Sequence, residues 1–179
     1  MSYPICFVSL GPGDPELITL KGLKKLRQAD IIYCPATISK SGQLLSRAAR
    51  IIEELEIEKS VVQFFTLPMS KDRTEVWKVY DTLYEKAISA RDKKKKVVIV
   101  AEGDAGFYSS IQYIYDKFKE NRIEVERTAG IPAFIAAGAL AGLHIVKQEE
   151  QIIVIPGMLT AEELSKKIKI GRASCRERV

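Results

Sequence analysis

The chain has 179 residues, 46% hydrophobic and 28% charged, which suits one domain and the start of another and is too apolar for a disordered protein. Three cysteines at wide spacings, no CxxC pair and a single histidine, His144, argue against a zinc site or a disulfide framework. No apolar run approaches the roughly 20 residues that cross a bilayer, so the expectation is a reduced, cytoplasmic protein. The net charge of +5 is diffuse, and +2 of it sits in the last nine residues, which hold three Arg and one Glu; this points to no nucleic-acid partner.

In chain order, the apolar run 5–10 ending in Gly11-Pro-Gly-Asp14 predicts a buried strand and a turn. A helix over 15–29 follows, with Asp14 as N-cap, Pro15 at the first helical position and Leu17, Leu20, Leu23 and Leu26 along one face. A second strand, 31–34, is expected to stop at Pro35, and a helix to span 44–55. Residues 61–65 read as a strand and 74–91 as a long helix with Val76, Trp77, Tyr80, Leu83, Tyr84, Ala87 and Ile88 inward. The charged turn 92–96 is read as a solvated face. It leads into Val97-Val-Ile-Val-Ala101, an unbroken β-branched run that fits a central parallel strand.

The loop Glu102-Gly-Asp-Ala-Gly106, a helix over 110–119, a strand over 124–128 and a small-residue helix over 132–141 complete an open, mostly parallel α/β sheet with helices on both faces. Domain bounds are expected at 1–142, with a connector at 143–150 and the start of a second α/β domain at 151–169, where 152–155 reads as a fresh strand. The string 170–179 is expected to be a non-native tail, because it reads like a frame of a common DNA-sequencing adapter; the second domain is then expected to be cut short.

Ligands in open α/β sheets bind at the carboxyl ends of the strands, which is where both glycine loops fall. Neither loop is a P-loop, since no Lys-Ser or Lys-Thr follows, and the first lacks the third glycine of the dinucleotide fingerprint. Each taken alone is compatible with an ordinary strand-to-helix turn.

The loops in combination carry more. Val8-Ser-Leu-Gly-Pro-Gly-Asp-Pro-Glu-Leu-Ile-Thr-Leu-Lys-Gly22, Ala29-Asp-Ile-Ile-Tyr33, Glu102-Gly-Asp-Ala-Gly-Phe-Tyr-Ser109 and Ala129-Gly-Ile-Pro-Ala-Phe134 resemble the tetrapyrrole methylases, two-domain methyltransferases that use S-adenosyl-L-methionine. Cys34-Pro-Ala-Thr37, Leu67-Pro-Met69 with Asp72 and Trp77, and Gly106-Phe-Tyr-Ser-Ser110 are most similar to the C20-methyltransferases of corrin-ring synthesis, which act on precorrin-2 or cobalt-factor II. The sequence departs from uroporphyrinogen-III methylases, which carry an aspartate near Pro35, and its Gly-Pro-Gly-Asp loop differs from those of ribosomal-RNA ribose methylases and diphthine synthases.

The resemblance implies cofactor contacts at Gly11, Pro12, Gly13 and Asp14, at Glu102, Gly103, Asp104 and Phe107, at Pro132 and Ala133, and at Gly157. It also implies a tetrapyrrole substrate and a homodimer, while composition and hydropathy give the expectation of no metal, nucleic acid or membrane. It names no catalytic base. The competing readings are a tetrapyrrole methylase acting at another ring carbon and a non-catalytic nucleotide- or anion-binding module.

Overall fold

The computed structural model describes residues 2–39, 41–68, 73–155 and 159–168. Met69, Asp72 and Gly157 lie outside them. Over the described residues the chain separates into two compact units, Met1–Ile131 and Pro132–Val179.

The first unit is built on five parallel strands: β1 (Ile5–Ser9), β2 (Ile31–Ile38), β4 (Val62–Thr66), β5 (Val97–Ala101) and β6 (Val125–Thr128). Their spatial order is β4-β2-β5-β1-β6, and a two-residue strand, β3 (Leu44–Leu45), pairs antiparallel with the end of β2. The all-apolar β5 lies between β1 and β2, with Cys6 beside Val98 and Ile31 beside Val97. Alternate residues of these strands feed two separate cores. Phe7, Tyr33, Val97 and Ile99 pack under α3 (Arg73–Asp92) and α4 (Gln112–Glu120), whereas Val8, Ile32, Cys34 and Val98 pack under α1 (Leu20–Arg27) and α2 (Arg47–Glu54). This is the open parallel sheet covered on both faces that the sequence predicts.

Local chemistry explains where elements depart from expectation. Residues 15–17 form a short 3-10 turn capped by Asp14, and α1 starts only after Thr19, whose hydroxyl accepts from Gly22 N at 3.1 Å. The buried side of α1 is therefore Gly22 and Leu26, and Leu20 is exposed. β2 runs through Pro35 to Ile38; its pairing with β5 ends at Tyr33, so the proline lies beyond the doubly paired part of the strand. The helix expected from 44 starts at Arg47 because Ser46 caps it, accepting from Ala49 N at 3.0 Å and donating to the Pro35 carbonyl at 2.6 Å. Along α3 the buried positions are Val76, Tyr80, Leu83, Ala87 and Ala90, a helical repeat that leaves Trp77 half exposed.

In the second unit, α5 (Ala133–Leu140) is followed by a turn at Gly142 and, later, by α6 (Ala161–Ile168). Residues 152–155, expected as a strand, lie outside the six described strands. No helix among the described residues is long and apolar enough to cross a membrane.

Candidate functional site

Strand order creates the site. From β1 the chain crosses to β2 with α1 on one face; from β5 it crosses to β6 with α4 on the other, and β1 and β5 are neighbours. Their carboxyl ends thus form a switch point, where diverging connections leave a crevice. The two glycine loops leave the sheet at this point. They are joined by a reciprocal pair of backbone bonds: Gly11 N donates to Gly103 O at 3.1 Å, and Gly103 N donates to Gly11 O at 2.7 Å. Both residues have positive φ, +81° and +65°, a conformation that glycine adopts without the cost other residues meet.

Gly13, at φ +131°, faces open space where a side chain would sit, so a ligand can approach its backbone closely. Pro12 is half-buried beside it, and Asp14 is spent locally, its Oδ1 accepting from Glu16 N at 2.9 Å. On the second loop Glu102 is exposed and pairs with Arg47 Nε at 3.3 Å, which ties the loop to the first turn of α2. Phe107 packs edge-on to Tyr108, with ring centroids 4.9 Å apart; Tyr108 is half exposed and held at φ +47°, an uncommon conformation for an aromatic residue.

Asp104 braces two loops. Its Oδ1 accepts from Gly106 N at 2.7 Å within its own turn, and its Oδ2 accepts from Gly130 N at 2.6 Å in the loop after β6. Beneath it lies a buried polar node that motif reasoning missed. Ser9 Oγ donates to Thr128 O at 2.6 Å and accepts from Ala105 N at 2.8 Å, while Ser9 N donates to Thr128 Oγ1 at 3.2 Å. Ser9 and Thr128 are the two buried polar residues of the described core, and together they tie β1, β6 and the second loop at one point. A hydroxyl closing the otherwise apolar run Ile5-Cys-Phe-Val-Ser9 was the available signal.

The structure therefore brings Gly11, Pro12, Gly13, Asp14, Glu102, Gly103, Asp104 and Phe107 to one end of the sheet. Pro132 and Ala133 open α5 in the second unit, where the Pro132 carbonyl accepts from Ile135 N at 3.1 Å. Among the described residues no group of three or more His, Cys, Asp or Glu side chains is arranged to hold a metal.

Cys34, near the site on β2, is fully buried; burial pushes its thiol from the usual 9.0 up to about 11, against a lowering hydrogen bond from Ser46 and with a smaller raising effect from Glu102. At pH 8, iodoacetamide is expected to alkylate Cys34 about 100-fold more slowly in the native protein than in urea, read by peptide mass spectrometry. A similar rate in both states would show the thiol to be accessible. The sign for stability follows: the folded thiol keeps its proton above the pH at which the unfolded one loses it. Its contribution is therefore complete below pH 9 and is lost as pH rises towards 11.

The family model for tetrapyrrole (corrin/porphyrin) methylases matches residues 4–172, which takes in the whole sheet and both glycine loops. The chain belongs to the tetrapyrrole methylases. Among curated relatives, a precorrin-2 C(20)-methyltransferase from a Sinorhizobium species is 30% identical over 165 residues, covering 90% of this chain and 67% of the relative. A protein of Methanocaldococcus jannaschii named probable cobalt-precorrin-2 C(20)-methyltransferase is 32% identical over 149 residues, covering 83% of this chain and 62% of that relative. The chain thus spans about two thirds of the length of these tetrapyrrole methylases. The crystal structure of a uroporphyrin III C-methyltransferase from Thermus thermophilus superposes with a TM-score of 0.60 at 20% identity, over 87% of this chain and 60% of that one, a likeness of fold.

Proposed function

We propose that this tetrapyrrole methylase moves a methyl group from S-adenosyl-L-methionine to C20 of precorrin-2 or cobalt-factor II. The observation that carries the reading is its similarity to two proteins named for C20 methylation of precorrin-2 or its cobalt form, over 165 and 149 residues. The paired loops at the β1–β5 switch point support it, because Gly13 leaves open space beside its backbone where a small ligand is held in such sheets.

The cofactor, when bound, supplies an electrophilic methyl group on a sulfonium whose leaving group is a neutral thioether. The chain's own task is then positional. Gly13 offers open backbone beside half-buried Pro12, Gly11 and Gly103 lock the two loops together through their backbone bonds, and Glu102 and Phe107 stand on the second loop; Pro132, Ala133 and Gly157 belong to the same proposal. Holding donor and ring carbon at attack distance supplies roughly 7–11 kcal/mol of a bimolecular barrier, so rigidity of these loops is a catalytic property. Asp104 is engaged on both oxygens by backbone N–H groups, which supports a positioning role rather than proton transfer. Cytoplasmic location and a homodimeric assembly belong to the same reading; sedimentation equilibrium tests the second.

Calorimetric titration with S-adenosylhomocysteine tests the cofactor assignment. The wild-type chain is expected to bind, and Asp104→Ala to bind roughly tenfold or more weakly, since it removes two charge-assisted bonds that set the loop. Asp104→Asn, which keeps one acceptor oxygen, should fall between. Unchanged affinity in Asp104→Ala would contradict the assignment of that loop.

A further inference from the structure

Towards the carboxyl end of the sheet, on β6, stands an arginine without a carboxylate partner among the described residues. Arg127, on β6, is exposed and stands beside Phe7 of β1 in the sheet register. Its guanidinium lies over the ring of Tyr115, 5.1 Å from the centroid, and Tyr115 is itself fixed edge-on to Phe7 at 5.0 Å. It also lies against Gly106. A Cβ at that position would stand 2.8 Å from Cζ and 2.9 and 3.1 Å from the two terminal nitrogens. Such near-equal distances mean that a face of the guanidinium, not its edge, meets the glycine. Its N–H donors radiate in that plane, so the contact with Gly106 does not cover them.

Five other cations of this unit meet carboxylates among the described residues. Arg47 meets Glu102, Lys117 meets Asp81, Lys59 meets Glu53, and Lys21 and Lys25 share Glu126. Glu126, next in sequence to Arg127, is thereby occupied on the opposite face. Among the described residues Arg127 has no carboxylate partner and no hydrogen bond. A flexible surface arginine without a partner is ordinary; one held against a ring and a glycine, beside the loop assigned to the cofactor, is a preorganised anion receptor.

The geometry points to Arg127 as a specificity-determining residue that receives a carboxylate of the tetrapyrrole substrate. The inference rests on the proposed function for the identity of the ligand, whose ring carries several acetate and propionate side chains. It adds a named residue and a reason for Gly106: any side chain there would displace the guanidinium.

The test uses uroporphyrin III, a stable tetrapyrrole with eight carboxylates, as the probe, with binding read by fluorescence titration. Arg127→Met keeps the apolar stem on Tyr115 and removes the charge. It is expected to weaken binding roughly five- to tenfold and to flatten the dependence on ionic strength, with melting temperature and S-adenosylhomocysteine affinity as in wild type. Arg127→Lys should recover part of the loss. Lys95→Met, which removes one charge at the opposite end of the sheet, should change binding less than about twofold. Wild-type affinity in Arg127→Met, a parallel loss of melting temperature and cofactor affinity, or no uroporphyrin binding by the wild-type chain would each overturn the inference. Methyl transfer to precorrin-2 is measured separately. Binding through Arg127 without transfer would sink the proposed activity and leave the carboxylate subsite standing.

Discussion

Gly130→Ala is expected to lower the melting temperature by roughly 10 °C and to weaken S-adenosylhomocysteine binding at least about tenfold. An added Cβ would stand 2.4 Å from the Gly103 carbonyl oxygen and 2.5 Å from Ser9 Cβ. Neither neighbour is the loose end of a long side chain. One is the backbone of the second glycine loop, and the other belongs to a residue with no exposed surface. Overpacking of this kind costs about 1–3 kcal/mol. The shift also pulls Gly130 N away from Asp104, a charge-assisted bond of 2.6 Å, adding about 1.5–3 kcal/mol. Gly42→Ala is the comparison: it too is a glycine-to-alanine change, at φ +81° but with nothing within 4 Å, so only the backbone preference is lost, about 1–2 kcal/mol. Calorimetric melting and ligand titration of both variants check the ranking. If Gly130→Ala melts at or above Gly42→Ala, the close approach of the two loops is not as described.

The second large effect belongs to Ser9→Ala, expected to cost about 2–4 kcal/mol in urea denaturation. The hydroxyl donates to Thr128 O and accepts from Ala105 N, and both partners would be left without it in a site from which water is excluded. Thr128→Val removes only the acceptor for Ser9 N, at 3.2 Å, and should cost about half as much. The order of the two variants carries the claim. A larger loss in Thr128→Val would mean that the node does not centre on Ser9. Because Ala105 sits inside the second loop, Ser9→Ala should also loosen cofactor binding, whereas a core truncation such as Phe118→Ala should act on stability first.

How much of this was legible in the sequence depended on how local the cause was. Val97 to Ala101 reads as a central strand because five consecutive apolar, mostly β-branched residues need both faces covered, and β5 lies between two neighbours. The glycine loops were legible for the same reason: the turns are made within a few residues of the strand ends. Pro35 misled because the rule that proline stops a strand assumes pairing on both sides, and here one neighbour has already left. Leu44 and Leu45 kept helical spacing by coincidence, while the Ser46 cap that decides the start of α2 depends on the carbonyl of Pro35, eleven residues away.

The site's supporting residues were the hardest to see. Ser9 lies more than 100 residues from Thr128 and Gly130 in sequence and meets them only through strand order, with β6 laid beside β1. No spacing rule connects them. Arg127 is similar, since its place beside Gly106 follows from the same strand pairing. Family resemblance pointed to the loops that would touch the cofactor, and the tertiary structure supplied the residues that hold those loops in place.

The position methylated distinguishes this protein from other tetrapyrrole methylases. The most direct measurement is incubation of the protein with S-adenosylmethionine carrying a ¹³C-labelled methyl group and, in separate reactions, precorrin-2 and cobalt-factor II, with the product read by ¹³C NMR. One new labelled methyl group is expected, on C20, from at least one of the two substrates. Label on any other ring carbon, or no label from either substrate with a chain that binds S-adenosylhomocysteine, would contradict it.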